Sequence, residues 1–166
     1  MLNLDEIFMR EAIRQAKLAA GADEVPVGAV IVHDRKIIAR AHNQIELLKD
    51  PTAHAEMIAI TQATNHLGSK WLNDCTIYVT LEPCSMCAGA LVLARIHRLC
   101  FGAPEGKTGA CGSVINIANH KSLNHRLDIN HGILADECSG IVIDFFKMKR
   151  KDKKISKNNN CSEFLN

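Results

Sequence analysis

Two short segments constrain this chain more than anything else in it: Thr52-Ala53-His54-Ala55-Glu56 and Glu82-Pro83-Cys84-Ser85-Met86-Cys87. Each follows a loop and opens a predicted helix. Thr52 is a plausible cap for the first helix, and Pro83 suits the first turn of the second. The segments lie ~30 residues apart. Any fold that uses them together must bring two helix N-termini to one point.

Those residues supply one imidazole and two thiolates. His54, Cys84 and Cys87 form a three-ligand set for zinc, and the fourth tetrahedral position is left for water. A structural zinc site is usually closed by four protein ligands, so an open position marks a catalytic one. Exposed N–H groups and the positive end of the helix dipole favour thiolate over thiol. Cys84 and Cys87 are one turn apart and can point at one metal. Glu56, two residues beyond His54, is expected to turn away from the metal and face the water. There a carboxylate can take a proton from activated water and hand it to a substrate.

Each piece alone is weak. A lone Cys-x-x-Cys is equally a redox pair or half of a zinc ribbon. A closed structural site would need Cys75, Cys100 or Cys111 to join. Cys75 and Cys100 sit in apolar strand patterns, where core packing is their expected role. Cys111 and Cys138 are left undecided, and Cys161 lies in the tail. In combination, with Pro before the first Cys, the segments match the signature of zinc nucleobase deaminases.

The intervening pattern alternates helices and strands. Asp5 to Ala20 reads as an amphipathic helix with Phe8, Ala12, Ile13, Ala16 and Ala20 on one face, capped by Asn3 or Asp5 and ended by Gly21. Val27–Val32 is a buried strand, His33-Asp34-Arg35 a turn, and Lys36–Ala41 its hairpin partner. A helix follows over about Ala53–His66, then a strand over Cys75–Thr80 and a helix over Ser85–Ala94. Arg98–Gly102 is a strand, and Ala103–Gly112 is a Gly-rich loop. A short strand is expected near Leu127–Ile129. A last helix runs from Leu134 to Arg150, with Leu134, Ile141, Val142, Phe145 and Phe146 as its buried stripe. The order implies a three-layer α/β/α domain over residues 1–155 around a mixed sheet of about five strands. Residues 156–166, with Asn158-Asn159-Asn160, are expected to be a disordered tail.

Composition excludes several classes. The 166 residues suit one domain, and 47% hydrophobic with 23% charged is ordinary for a globular protein. No stretch approaches the ~20 apolar residues of a membrane helix. Met1-Leu2-Asn3-Leu4-Asp5-Glu6 has neither a basic leader nor an apolar run. Seven cysteines, an odd count, fit reduced thiols in the cytoplasm better than a disulfide framework. Net charge is only +2, but Lys147 to Lys157 holds seven basic residues against Asp152. Such a run is either a solvated helix end or a patch for a phosphate backbone.

Beyond the zinc motifs, the chain resembles the bacterial tRNA-specific adenosine deaminases. The likeness runs from about Glu6 to Arg150. It rests on Glu24-Val25-Pro26-Val27-Gly28-Ala29-Val30, Asp50–Glu56, Thr80–Cys84, Cys87-Ala88-Gly89-Ala90 and Phe101-Gly102-Ala103. Lys107-Thr108-Gly109-Ala110 with Gly112-Ser113, Asn124-His125-Arg126, Gly132–Cys138 and Asp144-Phe145-Phe146 complete it. The resemblance implies a cytidine-deaminase-like fold, a homodimer, one zinc ion per subunit and no organic cofactor. It implies that the wobble adenosine of an arginine tRNA is splayed from the anticodon arm and converted to inosine. Zinc-activated water attacks C6, and Glu56 protonates N1 and then the leaving ammonia. By the same match, Asn43 touches the flipped nucleotide, the backbone of Ala55 reads the base edge, and Val27 lines the base pocket. Lys107, Asn124 and Phe145 correspond to RNA-contacting positions. Glu105 stands where the family usually has Asp, which bears on the flanking base and not on the chemistry. Two other readings stay open: a deaminase of a free base or nucleotide, and a silent zinc module that only binds RNA or a partner.

Overall fold

In the computed structural model, residues 3–162 are described, with side chains over 3–155. Helix α1 spans Leu4–Gly21 and is capped by Asn3, whose side chain accepts the Asp5 N–H. Strands β1 (Gly28–His33) and β2 (Lys36–His42) form a hairpin. Asp34 and Arg35 at its tip both have positive φ, 48° and 59°. That is the two-residue turn whose twist matches the flanking strands. A bulge between Ile31 and Val32 shifts the register.

Helix α2 is one turn, Ile45–Leu48, which the sequence pattern did not disclose. Then come α3 (Ala55–Leu67), β3 (Thr76–Leu81), α4 (Ser85–Leu93), β4 (Arg98–Ala103), β5 (Asp128–His131) and α5 (Ala135–Ser162). The sheet order is β2-β1-β3-β4-β5. β1 pairs antiparallel with β2 and β3, whereas β3–β4 and β4–β5 are parallel. The sheet is therefore mixed and five-stranded, as expected.

Strand alternation sends side chains to two separate cores. Val30, Val32, Tyr78 and Cys100 pack against Phe8, Met9, Ala12 and Ile13 of α1, with Cys138 of α5 in the same cluster. Ile31, Ile77 and Leu99 point the other way, onto Ala55, Ala59 and Ala63 of α3 and Ala88 and Leu91 of α4. Alanine-rich faces let helices and sheet approach closely. Gly28 shows how closely: a Cβ there would lie 2.0 Å from the Ala12 carbonyl oxygen. Three layers result, α1 and α5 over one face and α3 and α4 over the other. Cys75, Cys100, Cys111 and Cys138 are all buried.

Several expectations need correction. Helix α3 starts at Ala55 with His54 as its N-cap, so Thr52 does not cap it. Thr52 instead folds back on Asp50, donating from its N–H (2.8 Å) and its hydroxyl (2.7 Å) to one carboxylate oxygen. This is the local alternative such residues offer a backbone. Ala19, not Ala20, is buried on α1. Helix α5 does not stop near Arg150 but runs to Ser162. Among its described side chains Cys138 is the buried one, while Phe146 is 42% exposed. Of the expected tail, residues 163–166 lie outside the described residues. Among the described residues, no helix is long and apolar enough to cross a membrane.

Candidate active site

The two helix N-termini meet. His54 caps α3 and Cys84 caps α4, both with extended backbone, and Cys87 follows in the first turn of α4. Neither residue makes a side-chain capping hydrogen bond. His54 Nδ1 lies 3.7 Å from Cys84 Sγ and 3.5 Å from Cys87 Sγ. Zinc bonds of about 2.0 and 2.3 Å at a tetrahedral angle place such nitrogen and sulfur atoms about 3.5 Å apart. The donor set therefore fits zinc in chemistry and in spacing. Among the described residues, no fourth His, Cys, Asp or Glu ligand joins this group. The closed site built with Cys75, Cys100 or Cys111 is not formed.

The hydrogen bond from the Cys87 thiol, followed by that with His54, pushes the Cys84 thiol down to about 3. The same Cys84 bond, with burial, pushes Cys87 up. His54 is raised by its bond with Cys84. A divalent metal needs both thiols and the imidazole deprotonated, so its binding here would release the protons that these contacts hold.

Glu56 is 3% exposed on the first turn of α3. Burial pushes its carboxyl well above the usual range, against the opposing pull of its own backbone N–H and of His54. Its Oε2 has no hydrogen-bond partner. A buried, unpartnered carboxylate oxygen is costly, and such atoms concentrate where chemistry needs them. It lies in the same cavity as His54 and Cys84, about 250 Å³ in volume.

That cavity has three walls. Val25, Val27 and Asn43 form the side next to β1, with Val27 where the sequence reading put it. Asn43 is committed to the protein at both ends of its amide. Its Oδ1 accepts the Ala55 N–H at 3.0 Å, and its Nδ2 donates to the Val25 carbonyl at 3.1 Å. The Ala55 N–H is thus bonded inside the protein. Glu105 and Thr108 of the loop after β4 make the second wall, and Val142 and Phe146 of α5 the third. Phe145 points elsewhere, into grooves beside α1 and α2. Lys107 and Asn124 are exposed and do not line the cavity. The Lys107 backbone N–H donates to Glu105 Oε1 at 2.9 Å.

The structure adds a residue whose role sequence reasoning missed. Glu82 is 3% exposed and lines the same cavity. Its Oε1 accepts the N–H of Cys111 and of Ser113, each at 3.0 Å. Its Oε2 accepts the Glu105 N–H at 3.0 Å and the Ser113 hydroxyl. Burial pushes its carboxyl up, but these four bonds prevail and hold it below the usual range. A signal existed: a carboxylate at a strand-to-helix junction between Leu81 and Pro83 is expensive to bury unless fully bonded. For Val142 and Phe146 there was none, because only the docking of α5 brings them over the site.

Fold and site together define a deaminase, and a family model described as MafB19-like deaminase matches residues 3–150. The chain is 46% identical over 155 residues to the tRNA-specific adenosine deaminase of Bacillus subtilis (strain 168), covering 93% of this chain and 96% of that one. It is 49% identical over 147 residues to the tRNA-specific adenosine deaminase of Aquifex aeolicus (strain VF5), covering 89% and 97%. A solved structure from studies of A-to-I editing by tRNA:A34 deaminases matches with a TM-score of 0.79 and 42% identity, covering 81% of this chain and 98% of that one. The chain belongs to the tRNA-specific adenosine deaminase family.

Proposed function

We propose that this protein hydrolyses the wobble adenosine of an arginine tRNA to inosine and ammonia, with His54, Cys84 and Cys87 holding one zinc ion. The observation that carries this reading is the unpartnered Oε2 of the buried Glu56, in the cavity that also holds His54 and Cys84. Bound there, zinc supplies Lewis acidity that makes water a nucleophile near neutral pH. Glu56 takes a proton from that water and places it on N1 of the adenine as oxygen bonds to C6. It then moves a second proton from the new hydroxyl to the amino group. The C6–N bond breaks, ammonia leaves, and Glu56 ends in its starting state.

A cavity of about 250 Å³ is smaller than a drug-sized site and suits one flipped base. Its neighbour suits the strand that carries the base. A groove of about 690 Å³ shares Val25, Ile45 and Phe146 with it and is bordered by Phe145, Lys149 and Arg150, with Asp23, Glu24 and Glu46 on the same walls and Lys149 paired with Asp23. The two phenylalanine rings, with Arg150 beside them, support single-stranded RNA there. The reading includes association of two copies, on the strength of the family resemblance. The reading places the enzyme in the cytoplasm, where tRNA is modified and thiols stay reduced.

The test is incubation of zinc-loaded protein with an arginine tRNA transcript bearing wobble adenosine. Cytidine, deoxycytidylate, guanine and free adenosine run in parallel, and nucleoside analysis scores the products. Inosine at the wobble position alone is the expected result. Turnover of a free base and none of the tRNA would move the protein to small-molecule chemistry with the same site.

A further inference from the structure

The loop from Glu105 to Ser113 has two attachments to the segment that carries the metal ligands, and they do different work. One is backbone. The Ala110 N–H donates to the Pro83 carbonyl at 2.9 Å, and Gly109 forms an isolated bridge with Cys84. The other is the Glu82 carboxylate, which reaches both ends of the loop at once, at Glu105 and at Cys111 and Ser113. The backbone bonds fix the middle of the loop against Cys84. At the end where Glu105 faces the cavity, the Glu82 carboxylate takes the Glu105 N–H at 3.0 Å, beside the Gly109 N–H that donates to the Glu105 carbonyl at 3.0 Å.

Space around the carboxylate is as specific as its bonding. A Cβ at Gly109 would lie 2.5 Å from Glu82 Oε2 and 2.4 Å from the Glu105 carbonyl oxygen. The loop is thus wrapped on the carboxylate with no room for a methyl group. Glu105 and Thr108, the two loop residues that line the cavity, both fall inside the wrapped stretch.

We propose that Glu82 is a positioning residue for the nucleotide substrate: its carboxylate holds the Glu105–Thr108 wall of the base cavity in place without touching the metal. This rests on the reading that the cavity receives a flipped base of RNA. Glu82→Gln keeps size and shape but turns one acceptor into a donor. An amide NH₂ can satisfy the Ser113 hydroxyl, which rotates to accept, yet it leaves the Glu105 N–H opposed to another donor. The wall then loosens at Glu105 while the Ala110–Pro83 and Gly109–Cys84 attachments persist.

The experiment compares full-length, zinc-loaded wild type, Glu82→Gln and Gly109→Ala on an anticodon stem-loop RNA with wobble adenosine. Zinc per chain and amide exchange across residues 105–113 are measured alongside. The expected result for both variants is a KM raised about tenfold with kcat changed far less, faster exchange in the loop, and unchanged zinc. Wild-type KM and exchange in Glu82→Gln would overturn the proposal. Zinc loss in step with activity would also overturn it, by making Glu82 a support of the metal helix. Should Glu82→Gln not fold, Ser113→Ala removes one donor only and is expected to raise KM by about twofold in the same direction; no change there counts against the proposal. A wild type inactive on this RNA would refute the functional reading, while exchange and zinc still report whether the latch exists.

Discussion

Asn43 is bonded to Ala55: its Oδ1 accepts the Ala55 N–H at 3.0 Å, in the first turn of the helix that His54 caps. The same amide donates to the Val25 carbonyl, so one buried side chain joins the wall of the base cavity to the metal helix. Asn43→Ala leaves the buried Ala55 N–H without its acceptor, while the Val25 carbonyl keeps the Val27 N–H at 2.8 Å, and is expected to cost about 1–3 kcal/mol. Activity should fall with it. Asn43→Asp should not rescue, because a carboxylate oxygen would face the Val25 carbonyl. Urea unfolding and steady-state kinetics on both variants test this.

Glu56 divides stability from activity. Glu56→Gln keeps the shape and removes a carboxyl whose ionisation burial opposes. The variant should bind zinc normally, be as stable as wild type or more so, and lose roughly 10²–10⁴-fold in single-turnover rate. Removal of zinc with a chelator should abolish activity, and zinc or cobalt should restore it. Turnover by metal-free protein would refute the role given to His54, Cys84 and Cys87.

Asp5 sets an acid limit. Its carboxylate takes two bonds from Arg98, at 2.9 and 2.8 Å, and one from the Tyr78 hydroxyl at 2.7 Å. The Arg98 bonds, foremost, hold its carboxyl below the usual range despite burial. A carboxyl lowered in the folded state binds fewer protons there than in the unfolded chain. Its contribution is therefore complete above the unfolded value of about 3.9 and is lost as pH falls through the lower folded one. Asp5→Asn should cost about 1–3 kcal/mol at neutral pH, for a pair between the exposed and buried cases. Its deficit should shrink below pH ~4 in acid denaturation curves.

Gly28 tests the contact between α1 and β1. An alanine Cβ would meet the Ala12 carbonyl oxygen at 2.0 Å and the Ala16 nitrogen at 2.4 Å, both backbone atoms of a helix that cannot yield locally. Gly28→Ala should cost more than about 3 kcal/mol, seen as a large drop in melting temperature.

Arg150 tests the groove proposed for RNA. It borders the groove on α5 and is exposed. If it meets a phosphate, Arg150→Ala should raise KM for tRNA and flatten its salt dependence by about one unit of log–log slope. An unchanged slope would remove α5 from the RNA path.

The linear sequence determined the parts that depend on neighbours along the chain. The strand and helix order was legible because burial periodicity is local, as in Ile31, Ile77 and Leu99 against Val30, Tyr78 and Cys100. The clustering of His54, Cys84 and Cys87 was legible because they come as short motifs whose donor chemistry has few uses. Cap geometry was less so: Thr52 had two local partners to choose from, and Asp50 won. Tertiary structure alone decided what surrounds the chemistry. Whether Phe145 or Phe146 faces the cavity depends on how α5 docks on the sheet, a rotation that no local pattern records. The four bonds of Glu82 span residues 105 to 113, and those of Asn43 join residues 25 and 55. Such bonds form only after the chain has closed long loops, because the hydrogen-bonding needs of a buried side chain fix how many partners it must find and not where along the sequence they lie.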